Sequence, residues 1–163
     1  QPNLLDLIDE TLAECALQSA HLEIEITEST LLDDERCQDN ATQLAARGIR
    51  LALDDFGTGY SSLTYLKRFD VDVLKIDRSF VRDMIEDQGD AQIVSTVLAL
   101  AAGLGIESVA EGVEVNAQKD RLRGLGCDLI QGYLICPPVG IQDLLVWARQ
   151  QQWNKSFRRD AGC

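Results

Sequence analysis

Histidine is almost missing: His21 is the only one in 163 residues. The five cysteines, Cys15, Cys37, Cys127, Cys136 and Cys163, show no CxxC or CxH spacing, so the ligand pattern of a zinc site is absent as well. Odd in number and scattered, they fit reduced thiols rather than a disulfide framework, which predicts a cytoplasmic chain. No apolar run approaches the roughly 18 residues of a membrane span, and no charged-then-apolar leader is present. The domain itself is therefore expected to make no membrane contact, although a parent protein could be membrane-anchored. Basic residues are also scarce, 15 against 27 acidic, for a net charge of -12. That balance opposes duplex nucleic acid and anionic surfaces as partners, and a phosphate-bearing ligand would need metal ions as mediators. A start at Gln1 rather than Met fits a piece of something longer.

What is present is ordinary for a globular domain with a real core, 45% hydrophobic and 26% charged. Strand-like runs recur at 22–27, 50–55, 73–77, 107–111 and 129–135, with helix-period stretches filling most of the gaps, the pattern of a βα repeat. Arg47-Gly48-Ile49, Leu104-Gly105-Ile106 and Leu125-Gly126-Cys127 each place a glycine where a left-handed residue would end a helix before the next strand. Between strands, Ile93, Val94, Val97, Leu98, Ala101 and Leu104 form the stripe of a helix packed on a sheet, and Leu4, Leu5, Ile8 and Leu12 behind a cap at Asn3 form another.

The strand 22–27 alternates strictly, so its apolar set can face helices while Glu23 and Glu25 face the other way. An open sheet covered on both faces would bury that acidic row at high cost. A closed barrel lets it point into the lumen and its polar mouth. Val73, Lys75 and Asp77 repeat the pattern, with Leu74 and Ile76 on the opposite face. A full (β/α) barrel takes about 250 residues, so an α/β, TIM-barrel-like fold with about five βα units, part of a full barrel, is expected. An amphipathic helix through Leu144, Leu145 and Ala148 closes the domain, with residues 150–163 as a polar tail.

If the strands are parallel, their C-terminal ends share a rim where Glu25, Asp54, Asp55, Lys75, Asp77, Glu111 and Gln131 collect. Asp54-Asp55 precedes the loop Phe56-Gly57-Thr58-Gly59-Tyr60-Ser61-Ser62. Alone, such a pair is most often a turn and helix cap. Among the other strand ends its mutual repulsion asks for a divalent cation. Oxygen donors without histidine suit Mg²⁺ or Mn²⁺, and several carboxylates can hold two such ions about 3.5–4 Å apart. A lysine among them would stabilise charge on phosphorus, or hold and help deprotonate the attacking water. The reaction class is metal-assisted hydrolysis of a phosphodiester.

Five ordered blocks then carry a resemblance: Leu22-Glu23-Ile24-Glu25-Ile26-Thr27-Glu28-Ser29, Asp54-Asp55-Phe56-Gly57-Thr58-Gly59-Tyr60-Ser61-Ser62, Leu74-Lys75-Ile76-Asp77, Ala110-Glu111-Gly112-Val113-Glu114 and Gln131-Gly132-Tyr133. Together they resemble the signature blocks of EAL domains, bacterial phosphodiesterases specific for cyclic di-GMP, over about residues 4–145. The resemblance implies a partial EAL phosphodiesterase domain over 1–149. Glu25 and Asp54 would bind a first Mg²⁺ or Mn²⁺, with Asp54 bridging to a second ion held by Asp55. Glu111 would serve the second site directly or through water, and Lys75 would position the attacking water. Gln131 would order the water network, Glu28 would anchor the Asp-Asp loop and couple it to dimer contacts, and Tyr133 and Pro138 would meet a guanine base. A homodimer, and fusion to GGDEF or sensory domains in the parent protein, are also implied. The namesake Glu-Ala-Leu motif would lie upstream of Gln1, so the isolated fragment is expected to be weak or inactive.

The alternative function is a catalytically silent cyclic di-GMP receptor or signalling interaction module. Such forms erode the Asp-Asp pair, the lysine or the glutamate that correspond to Asp54-Asp55, Lys75 and Glu111, all of which stand here. Asp77 reads as a helix cap rather than a catalytic group. Glu23 reads as a residue of the closed barrel end and His21 as a solvated loop residue. Trp147 and Trp153 read as packing groups, and Arg158-Arg159 as a solvated end.

Overall fold

A computed structural model describes residues 4–57, 66 and 68–150. The cap at Asn3, the loop residues 58–62, Trp153, Arg158, Arg159 and Cys163 lie outside them. The described residues form two compact units that divide between Lys75 and Ile76, inside a strand rather than at a linker.

The first unit starts with α1 (Leu4–Glu14), which buries Leu5 and Ile8 from its predicted stripe. A short turn of 3₁₀ helix leads into β1 (Glu23–Thr27), and His21 in that turn is exposed, its Nδ1 accepting the Gln18 N–H at 3.3 Å. Thr27 ends β1 and caps α2 (Glu28–Asp33). Asp34 then caps α3 (Glu35–Ala46), accepting from Arg36 N at 2.8 Å and Cys37 N at 3.3 Å. β2 (Arg50–Phe56) pairs with β1 in parallel, Glu25 opposite Ala52 and Thr27 opposite Asp54. β3 (Val73–Ile76) follows β2 in the sheet, and all four of its residues are buried.

In the second unit α4 (Arg78–Asp83) and α5 (Gln88–Leu104) precede β4 (Glu107–Ala110). α6 (Asn116–Gly124) leads to β5 (Leu129–Ile130), which pairs with β4 in parallel. α7 (Ile141–Gln150) comes last. From its predicted stripe α5 buries Val94, Val97, Leu98 and Ala101, whereas Leu104 in the final turn is exposed. α7 has the expected amphipathic pattern, yet none of its residues is buried and Trp147 is only half-buried.

The three glycine punctuations act alike. Gly48, Gly105 and Gly126 are left-handed, with φ of 73°, 72° and 83°. After each, the next N–H reaches back to a carbonyl in the last helical turn: Ile49 to Leu44, Ile106 to Ala101 and Cys127 to Leu122. That is the Schellman closure, which satisfies carbonyls a helix end leaves open. The fifth strand is shorter than its apolar run. The run 129–135 is strand only at Leu129–Ile130, because the chain turns at Gly132, whose carbonyl accepts from Ile135 N at 3.0 Å.

Asp77 caps α4 through Ser79 N at 2.9 Å and the Ser79 hydroxyl. Burial pushes its carboxyl up, but the Ser79 side chain, the Ser79 and Arg78 backbone and the Arg78 charge outweigh this and hold it below the usual carboxylate range. A depressed folded value gives stability that is present above about pH 4 and lost as pH falls through that value. Asp77→Ala is expected to cost about 1 kcal/mol at neutral pH, a difference that shrinks in acid. Urea melts of both forms at pH 7 and at about pH 3 check it.

Candidate active site

In the first unit the site is built on the ends of three successive strands. Glu25 and Asp54 project to the same face, since Glu25 pairs with Ala52 and alternate residues share a side. Lys75 on β3 is 4% exposed, and its Nζ lies 2.7 Å from Glu25 Oε1 and 3.4 Å from Asp54 Oδ1. β2 lies between β1 and β3 in the sheet, so Lys75 reaches Glu25 across it. Ala52, opposite Glu25 and 1% exposed, is small enough to leave that crossing open. Glu23, two residues earlier, instead meets Arg50 at the start of β2, with Oε2 3.6 Å from Nε.

The backbone bends at the acidic pair. Asp55 has φ of +55°, the left-handed region that a residue with a Cβ enters at a cost. In that conformation its N–H donates to Asp54 Oδ1 at 2.9 Å, so this oxygen faces both an amide and the ammonium of Lys75. Glu28, at the start of α2, is 5% exposed, and its Oε2 accepts from Gly57 N at 3.4 Å. A buried carboxylate thus holds the backbone just beyond Asp55.

In the second unit, Glu111 follows β4 and is half-buried, its N–H donating to the Ile76 carbonyl at 3.1 Å. Gln131 follows β5 and is exposed, donating from its backbone to the Ala110 carbonyl at 2.9 Å and accepting from Val113 N at 3.0 Å. Tyr133 and Pro138 are exposed. The structure therefore brings Glu25, Asp54 and Lys75 into contact, with Glu28 and Asp55 shaping the adjoining turn, and puts Glu111 and Gln131 at the ends of neighbouring strands.

For a divalent cation the donor chemistry fits, because Glu25 and Asp54 are carboxylates sharing one positive charge. That charge is here the Lys75 ammonium, and among the described residues no group of three or more His, Cys, Asp or Glu converges as a ready cage. The four described cysteines, Cys15, Cys37, Cys127 and Cys136, are free thiols. No helix among the described residues is long and apolar enough to cross a membrane.

Among the buried polar residues, Gln118 escapes sequence reasoning. Gln118 is 5% exposed; its Oε1 accepts from Glu114 N at 2.8 Å and Val115 N at 3.0 Å. Its Nε2 donates to the carbonyls of Val81 at 3.1 Å and Arg82 at 3.3 Å. It ties the segment after Glu111 to the end of α4. A glutamine in a polar helical stretch carries no sequence mark of that role.

The family model described as EAL domain matches residues 1–138. The bifunctional diguanylate cyclase/cyclic di-GMP phosphodiesterase MucR of Pseudomonas aeruginosa is 44% identical over 143 residues, 87% of this chain and 21% of that protein. The solved complex of the PaMucR phosphodiesterase with c-di-GMP has a TM-score of 0.84 and 43% identity, over 88% of this chain and 59% of that one. The manganese/cyclic-di-GMP complex of Klebsiella pneumoniae BlrP1 has a TM-score of 0.78 and 34% identity, over 85% of this chain and 36% of that one. The chain thus spans about a fifth of the length of the curated relative and somewhat over half of the first solved one. With a family match over most of its length and strand ends that carry the expected acidic, lysine and glutamine groups, this α/β chain belongs to the EAL domain family.

Proposed function

We propose that the chain contributes to the hydrolysis of cyclic di-GMP to the linear dinucleotide, as the C-terminal part of a divalent-metal phosphodiesterase site. The observation that carries this reading is Lys75, a buried ammonium held between Glu25 and Asp54 at parallel strand ends, in a chain of the EAL family. Glu25 and Asp54 would hold a first Mg²⁺ or Mn²⁺ and Asp54 and Asp55 a second, and the family resemblance gives Glu111 a part at that second site, directly or through water. Bound divalent ions would supply positive charge to the phosphoryl oxygens as bond breaking shifts charge onto them.

The chain's own groups do the remaining work. Lys75 orients a water through its side-chain amine, which the adjacent carboxylates hold in place. Water oxygen joins phosphorus, the P–O3′ bond breaks, and the proton from water ends on the departing 3′ oxygen. Glu28 holds the turn at Gly57 and with it the backbone of Asp55. As the family resemblance implies, Gln131 would order water, and Tyr133 and Pro138, both exposed, would contact a guanine base. From the family resemblance the reading also takes a homodimer and fused signalling domains, and from the scattered cysteines a cytoplasmic place.

The test is turnover by the complete protein with Mg²⁺ or Mn²⁺, with and without a chelator, beside Asp54→Ala. Linear product that needs the metal and vanishes in Asp54→Ala supports the reading. Activity surviving that substitution overturns the metal assignment, and tight binding without turnover points to the receptor alternative.

A further inference from the structure

Two aspartates outside the catalytic set make the same contact in the two units. Asp72 stands just before β3; its N–H donates to the Leu51 carbonyl at 3.0 Å, and its Oδ2 accepts from Leu51 N at 2.9 Å. Leu51 on the neighbouring strand is therefore gripped at both backbone groups. Asp128 stands just before β5, and its Oδ2 accepts from Ser108 N at 3.0 Å and from the Ser108 hydroxyl at 2.7 Å. Its own N–H donates to Ser108 Oγ at 3.1 Å. Ser108 is 1% exposed.

The spacing joins these grips to the chemistry. Lys75 is three residues after Asp72 and Asp54 three after Leu51. Gln131 is three after Asp128 and Glu111 three after Ser108, one step beyond the observed pair Ala110 with Ile130. Both segments share one pattern, Asp72-Val73-Leu74-Lys75 and Asp128-Leu129-Ile130-Gln131: an aspartate, two apolar residues, then a candidate site residue.

Short strands need such a grip. β3 has four residues and β5 two. Parallel ladder bonds are evenly spaced and do not by themselves choose a register. A slip of one residue would turn Lys75 toward the opposite face, and a slip of two would carry its Nζ about 6–7 Å along the strand, beyond reach of Glu25 and Asp54.

We propose that Asp72 and Asp128 are positioning residues: each clamps the preceding strand three residues before the site and so sets Lys75 against Asp54, and Gln131 against Glu111. The proposal rests on the phosphodiesterase reading for its kinetic arm only.

The experiment compares wild type, Asp72→Ala, Asp72→Asn, Asp128→Ala and Asp128→Asn in the complete protein, well below each melting temperature. Asparagine keeps an oxygen that accepts an amide N–H, so it should rescue what alanine loses. The first readout is acylation of Lys75 by an amine-reactive ester, followed by mass spectrometry with Lys119 as internal reference. Labelling of Lys75 is expected to rise about tenfold in Asp72→Ala and to stay within about twofold of wild type in Asp72→Asn, since only a shifted strand exposes this amine. The second is turnover of cyclic di-GMP, where kcat should fall about 10- to 100-fold in both alanine variants with little change in KM. Unchanged Lys75 labelling in Asp72→Ala, asparagine variants no better than alanine, or losses that follow melting temperature alone would overturn the proposal. If wild type does not hydrolyse cyclic di-GMP, the functional reading fails together with the Asp128 half of the proposal, while the labelling arm still decides the Asp72 half.

Discussion

Lys75→Met should lower turnover at least about a hundredfold while the chain still folds and keeps its carboxylates in place. The ammonium lies 2.7 Å from Glu25 Oε1 and 3.4 Å from Asp54 Oδ1, almost fully buried, and methionine fills nearly the same volume without the charge. A positioned acid or base group contributes about 10²- to 10⁴-fold, so kcat is expected to fall within that range. The fold loses less. Breaking a fully buried pair costs about 3–5 kcal/mol, but Glu25 is half-exposed and can be solvated, so about 1–2 kcal/mol is expected here. Lys75→Arg should not restore activity, because a planar fork cannot occupy a slot built for a compact ammonium. Steady-state kinetics, a thermal melt and a Mn²⁺ titration check the three parts. Mn²⁺ binding should persist, and turnover within tenfold of wild type would remove Lys75 from the mechanism.

Gly132→Ala is the second large effect, and it acts through the backbone. Gly132 has φ of +157°, and a Cβ there would meet Val113 O at 2.3 Å and Val113 N at 2.4 Å. Backbone atoms cannot rotate away as a flexible side chain can. The segment must shift, which breaks the bond from Val113 N to the Gln131 carbonyl and moves Gln131 relative to the segment that follows Glu111. A cost of about 3–5 kcal/mol is expected, or a fall of about 10 °C in melting temperature. Differential scanning calorimetry measures it directly. A melting temperature within about 2 °C of wild type would show that the Gly132 backbone can move away from Val113 cheaply.

Local chemistry made much of the fold readable. The glycines after Arg47, Leu104 and Leu125 announce helix ends because a left-handed residue is cheap only without a Cβ, and all three end their helices as expected. Asp77 announces a cap for a similar reason, since a short acidic side chain can reach the next free amides. The alternation from Glu23 to Thr27 separates Glu25 from Ile24 and Ile26, and Glu25 does meet Lys75. Less was readable at β5, where seven apolar-rich residues suggest a longer strand. Hydrophobicity measures preference for burial, and only the turn at Gly132 decides where extended backbone stops. Leu104 and the stripe of α7 fail in the same way: periodicity marks a face that can be buried and leaves open what covers it.

The sequence by itself determined the residue types at each strand end, the order of the blocks and the family, because those depend on neighbours within a few positions. Tertiary structure alone decided what the residues touch. Glu25, Asp54 and Lys75 are separated by 29 and 21 positions, and their meeting depends on the register of three neighbouring strands and on a side chain at 52 small enough to reach across. The grips of Asp72 on Leu51 and of Asp128 on Ser108 were invisible for the same reason. Neither segment alone names the distant residue it will grip, and only folding, which fixes one register among several of similar local energy, makes the contact and with it the site.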